Sequence, residues 1–153
     1  LRDYYRRIRH KTALFFGLSS YLGAYVSGLR GKKLNLLYKL GLEIGMAFQI
    51  QDDLLDFEGE AEETGKLLAQ DLKEGVITLP VILLLNRDEY RKKYSNYSQS
   101  SLDDQIVEDI IADVQNSGVL EESRDILRIF IKRVKKYLAE LPDNKAKRKL
   151  KKL

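Results

Sequence analysis

The sequence predicts an all-α fold, a bundle of helices, on three observations. Apolar residues recur three and four positions apart over long stretches, only two prolines interrupt the chain, and segments of alternating polarity are few and short. With 153 residues, 44% of them hydrophobic, the chain has the size of one domain, residues 1–153, and enough apolar side chains for a genuine core.

Each element follows from local pattern. Tyr4 to about Val26 is read as one long helix and Leu34 to about Phe57 as a second, joined by the turn-forming Ser27-Gly-Leu-Arg-Gly31, so the two are expected to pack antiparallel. Gly41 and Gly45 lie four apart on one face of the second helix; their low helix propensity is tolerable where a neighbouring backbone must come close. A charged, glycine-containing loop is expected from Glu58 to Glu74, then a short buried helix from about Thr78 to Leu85 with Pro80 in its first turn. Asn86 to Ser101 is polar and is expected to begin as a helix end and finish as a loop. Ile106, Ile110, Ile111 and Val114 mark a further helix closed by Asn116-Ser-Gly118. Leu120, Leu127, Ile131, Val134 and Leu138 mark a longer one that ends before Pro142.

Composition excludes whole classes of chemistry. The chain has no cysteine, which removes disulfides, thiolate metal sites and thiol nucleophiles and makes a reducing cytoplasm the expected compartment. A single histidine, His10, cannot build a histidine metal site and is read as structural. The longest strongly apolar stretch, Val76 to Leu85, is too short to span a bilayer and contains Pro80. The formal net charge of +4 comes from the tail, where Lys145, Lys147, Arg148, Lys149, Lys151 and Lys152 crowd together. Without interleaved aromatic residues this run is read as a solvated helix end, with no nucleic-acid partner and at most peripheral membrane contact. The chain opens inside a helical pattern, with neither a capping residue nor a leader, which is the expectation for a fragment of a longer chain.

Chemistry concentrates in the second helix. Asp52, Asp53 and Asp56 stand three and four apart, so their carboxylates can gather along one stripe. Three like charges beside Leu54, Leu55 and Phe57 make sense if a cation neutralises them, and an oxygen-only ligand set suits Mg²⁺, which binds through one or two carboxylates together with substrate phosphates. The alternative is a solvated acidic face. Gln49 places an amide one turn before the aspartates, and Phe48 adds a flat apolar wall. Lys11, followed by Thr12, and Lys66, preceded by Gly65, are candidate phosphate-holding cations.

Taken in order, Tyr5-Arg-Arg-Ile-Arg-His-Lys-Thr12, Gly41-Leu-Glu-Ile-Gly-Met-Ala-Phe-Gln-Ile-Gln-Asp-Asp-Leu-Leu-Asp56, Gly65-Lys66 and Asp71-Leu-Lys-Glu-Gly-Val-Ile-Thr-Leu-Pro80 resemble the polyprenyl synthetase family. The resemblance covers the chain to about Leu85 by motif and the rest by general pattern. It implies the C-terminal part of the all-α isoprenoid synthase fold and a trans-prenyltransferase that condenses isopentenyl diphosphate with an allylic diphosphate. This chain would supply the second of two aspartate motifs. Asp52 would bind Mg²⁺ directly, with Asp53 and Asp56 acting through water or as supporting neighbours. Lys11 and Lys66 would hold the allylic diphosphate, Thr12 and Gln49 would set oxygen dipoles near the developing allylic cation, and Phe48 would border the isopentenyl site.

Two departures bear on product length: Val76 stands where short-chain members often carry a lysine, and Leu67-Leu68-Ala69 replaces a common proline and glycine. Both look similar to longer-chain synthases, such as heptaprenyl enzymes that form the catalytic half of a two-subunit complex. A homodimer or heterodimer is expected, and an isolated half without the first aspartate motif is expected to be inactive. The competing expectation is a noncatalytic helical subunit or regulatory partner that keeps the fold.

Overall fold

The computed structural model describes residues 1–58, 69–95 and 104–151. Among them it is helical, with no strand. In chain order α1 is Arg2–Ile8, a π-helical segment is Arg9–Ala13, α2 is Leu14–Val26 and α3 is Lys32–Glu58. Then come α4 (Gln70–Lys73), α5 (Leu79–Leu85), α6 (Asp88–Lys93), α7 (Asp104–Asn116), α8 (Val119–Ala139) and α9 (Lys145–Leu150). Two compact units divide the chain: residues 2–49 with 127–153, and residues 50–126 with Leu1.

In the first unit, α2 and the opening turns of α3 run antiparallel, because small residues meet in reverse order. A Cβ added at Gly41 would lie 2.5 Å from Ser20 Oγ and 2.6 Å from the Phe16 carbonyl oxygen; one at Gly45 would lie 2.6 Å from Ala13 Cα. Those distances are below contact, so the two glycines permit the approach that the sequence suggested. The ring of Tyr5 packs 6.0 Å from that of Phe130, and the Arg133 guanidinium lies 3.7 Å from the Glu43 carboxylate. Tyr4, Ile8, Leu40, Met46, Leu127 and Leu138 are buried.

Three sequence expectations are corrected in this unit. The first helix is not uniform: five residues, Arg9–Ala13, take the wider π geometry, a widening that recurs at functional sites. On α8 the apolar stripe passes through Phe130 and leaves Ile131 37% exposed, one position away from the expected register. Nor is the tail only a solvated end. Asn144 accepts the Lys147 backbone N–H at 2.9 Å, while buried Lys147 donates through Nζ to the carbonyls of Ala139 and Leu141. These are carbonyls that the end of α8 leaves open, and a cation there also meets the negative end of the helix dipole.

In the second unit the last turns of α3 bury Ile50, Leu54 and Phe57, in a core that also holds Leu72, Leu79, Val81, Leu84, Val107, Ile110 and Val114. Polar ties reach its helix ends. Gln115 Nε2 donates to the Phe57 carbonyl at 3.3 Å, Arg124 pairs with Glu58 at 2.8 Å, and Arg87 donates to the Ser117 carbonyl at 2.7 Å as well as to Glu122. The expected loop from Glu58 to Glu74 contains the helical turn α4, closed by Gly75 at φ 79°. Pro80 starts α5 as expected. Within the polar stretch after Asn86, six residues form α6, whose acidic first turn and basic last turn suit its dipole. Residues 96–101 of that stretch lie outside the described residues.

Candidate active site

α3 carries the aspartates, and helix geometry separates their fates. Asp52 is exposed, Asp53 is buried at 3% exposure and Asp56 is half-buried. Among the described residues no three carboxylate or histidine side chains close on a common point. The stripe expected from spacing is therefore open. Asp56 turns toward the chain that returns after residue 68: its carboxylate accepts the backbone N–H groups of Gln70 at 3.1 Å and Asp71 at 3.3 Å, and its carbonyl accepts that of Ala69 at 2.8 Å. A carboxylate at the first amides of α4 satisfies donors that the helix leaves unpaired. Ala69, which precedes that helix, holds φ 54° and ψ 45°, a left-handed conformation costing a side-chain-bearing residue about 1–2 kcal/mol.

Charge accumulates around Asp56. Burial pushes its carboxyl above the usual carboxylate range, the negative charge of Asp71 adds to the rise, the N–H bonds from Asp71 and Gln70 partly oppose it, and Asp52 raises it further. Surplus negative charge on oxygen donors, with Asp52 open to solvent, fits a hard cation that retains water. The oxygen donors present are of the kind a divalent cation takes.

In the first unit, Thr12 donates through Oγ1 to Gln49 Oε1 at 2.6 Å. This bond links the π-helical segment to α3 one turn before the aspartates begin. Gln49 is buried, and Thr12 is half-buried. With its proton directed at the amide, the Thr12 oxygen keeps its lone pairs for another partner. Phe48 is 55% exposed, and its ring packs tilted against that of Phe16 with 5.4 Å between centroids. Lys11 is exposed, as is His10, whose Nδ1 lies 2.7 Å from the Arg6 carbonyl within the same helix. Lys66 lies outside the described residues. Sequence reasoning missed two features: the link between Thr12 and Gln49, and the bonds from Asp56 to the α4 amides. Neither has a local signature, since partners 37 and 14 residues apart meet only in the fold.

The helices define an all-α protein whose α3 carries one conspicuous aspartate motif. The chain belongs to the polyprenyl synthetase family, whose sequence profile it matches over residues 1–114. It is 35% identical over 150 residues to heptaprenyl diphosphate synthase component 2 of Bacillus subtilis, a match covering 98% of this chain and 43% of that protein. The crystal structure of heptaprenyl diphosphate synthase from Staphylococcus aureus superposes with a TM-score of 0.91 at 30% identity, covering 98% of this chain and 47% of the other. The geranylgeranyl pyrophosphate synthase of Corynebacterium glutamicum, complexed with calcium and isoprenyl diphosphate, gives 0.82 at 30% identity over 96% of this chain and 46% of the other. The chain thus spans about half the length of the relatives it matches.

Proposed function

We propose that this chain is the diphosphate-binding half of a trans-prenyltransferase that condenses isopentenyl diphosphate with an allylic diphosphate, head to tail, to give a polyprenyl diphosphate. The carrying observation is the Thr12–Gln49 hydrogen bond of 2.6 Å, which ties the lysine–threonine segment to the helix of the aspartates in a chain of this family. Asp52, open to solvent, would hold Mg²⁺, with buried Asp53 and Asp56 acting through water or as supporting neighbours, Asp56 while it holds the α4 amides. The metal, when bound, supplies positive charge that stabilises the departing diphosphate.

This chain's own residues do the rest. Lys11 and Lys66 hold the diphosphate as point charges, lowering the cost of separating it from the allylic carbon. The Thr12 hydroxyl and the Gln49 amide turn oxygen dipoles toward the carbon that becomes positive. Phe48 offers its exposed ring to the isopentenyl group and helps exclude water that would trap the cation. As that carbon–oxygen bond breaks, the double bond of isopentenyl diphosphate attacks the cation; a proton is then lost, with the departing diphosphate as its acceptor, to restore the double bond.

A longer-chain product, heptaprenyl or another medium or long chain, is supported by Val76 and Leu67-Leu68-Ala69, and by the B. subtilis and S. aureus relatives. Assembly with a second subunit or a second copy is supported by the name of the B. subtilis relative, a component 2. Phe15, Leu18, Leu22 and Val26 form an exposed apolar stripe on α2, a surface for the rest of the enzyme to cover. None of the described helices is long and apolar enough to cross a membrane; we place the enzyme in the cytoplasm. The test is Asp52→Asn in the whole enzyme. Loss of a ligand and of a charge beside the leaving group lowers turnover by a factor of about 100 or more, with the fold intact by circular dichroism. Near-normal turnover would remove Asp52 from the metal site.

A further inference from the structure

The charge of this chain is divided between its two units far more sharply than the net +4 shows. Residues 50–126 carry 7 lysines and arginines against 19 aspartates and glutamates, whereas residues 2–49 and 127–153 carry 20 against 4. A large part of that second surplus lies on one continuous piece of chain. On α8, Arg128, Lys132, Lys135 and Lys136 recur at helical spacing on the exposed face, opposite the buried Leu127, Phe130 and Leu138. Lys145, Arg148, Lys149 and Lys151 follow, exposed on and just past α9. Among the described residues, no ion pair engages Lys132, Lys135 or Lys136. α9 is not a loose tail: the Lys147 ammonium bonds to the Ala139 and Leu141 carbonyls and fixes it on the end of α8.

We propose that the exposed cations of the second half of α8 and of α9 dock the protein on an anionic lipid bilayer. A surface of exposed cations held by ordered helices is complementary to anionic headgroups, and clusters of four to eight lysines and arginines are the usual size of such contacts. The exposed residues beside them favour lipid over nucleic acid. Ile129 and Ile131 are 51% and 37% exposed among the α8 cations, and no exposed residue from Arg128 to Lys151 is aromatic, so there is nothing on which a base would stack. The contact is electrostatic, since the apolar face of α8 is already buried in the protein. It uses none of the candidate active-site residues and stands whether or not the chain transfers prenyl groups.

The experiment is co-sedimentation of the whole protein with vesicles of mixed phosphatidylglycerol and phosphatidylcholine, with phosphatidylcholine vesicles and polyuridylic acid in parallel, at low and high salt. Binding to the anionic vesicles alone, lost at high salt, is expected. Joint reversal of Lys132→Glu, Lys135→Glu and Lys136→Glu should weaken it about 100-fold or more, each cation near the surface being worth roughly fivefold. The neutral set Lys132→Gln, Lys135→Gln and Lys136→Gln, milder for the end of α8, should weaken it less. A control with the same charge change, Lys32→Glu, Lys33→Glu and Lys39→Glu at exposed positions of α3, should keep most of the binding. Equal loss in the control would reduce the effect to net charge and overturn the proposal. So would equal binding to neutral vesicles, or binding to polyuridylic acid in place of anionic vesicles. Circular dichroism and thermal unfolding show which variants remain folded.

Discussion

At the level of single residues, polar contacts between distant positions separate what the sequence shows from what it conceals. The identities of Lys11, Thr12, Phe48, Gln49 and the aspartates were legible as motif members. What Asp56 touches was not, because its amide partners lie 14 and 15 residues further along the chain. The same holds for Asp113, which accepts from Lys93 Nζ and from the Tyr94 hydroxyl, each at 2.6 Å. Burial works against its charge, but the bonds from Lys93 and Tyr94 outweigh it and hold the carboxyl below the usual range. A carboxyl lowered by folding adds stability that is present above its unfolded value, near 4, and is lost as pH falls through its folded value. Thermal unfolding between about pH 5 and pH 2 should therefore show a loss of stability that Asp113→Asn reduces. An unchanged pH dependence in that variant would mean that Asp113 is not ion-paired. At the alkaline end, burial and the bond to Asp113 push the Tyr94 hydroxyl up to about 12, so it remains a donor where an unfolded tyrosine has ionised.

At the level of elements, hydrophobic periodicity located the helices well but could not distinguish their windings. Five residues at Arg9–Ala13 are too few to separate a π-helical turn from an α-helical one by pattern, so a single helix was the natural reading from sequence. The wrong register on α8 has a similar cause: Phe130 and Ile131 are adjacent and both apolar, and only packing against Tyr5 selects the ring. The glycines were legible because their helix propensity is poor and their spacing places them on one face. Gly45→Ala would put a methyl carbon 2.6 Å from Ala13 Cα and 3.1 Å from Phe16 Cβ. Overpacking of this kind costs about 1–3 kcal/mol. Because Ala13 adjoins Thr12, the variant should also lengthen the Thr12–Gln49 bond and lower turnover more than stability alone explains. Denaturant unfolding and steady-state kinetics on one preparation test both. A variant as stable as the parent would contradict the close approach of α2 and α3.

At the level of the whole molecule, fold class and family membership were the most legible properties, because each rests on many residues at once. Four motifs in one order specify a family where three aspartates specify little, and the S. aureus structure follows 98% of this chain with a TM-score of 0.91. The division of charge between the two units was less legible. It needs the chain to be folded before residues 2–49 and 127–153 can be counted together. Incorporation of labelled isopentenyl diphosphate by the whole enzyme reads the proposed reaction itself. With farnesyl diphosphate as primer and products resolved by length, a Mg²⁺-dependent ladder ending at one length is expected. No incorporation with any allylic primer, even when a second subunit is supplied, would contradict it and leave the chain as a noncatalytic member of its family.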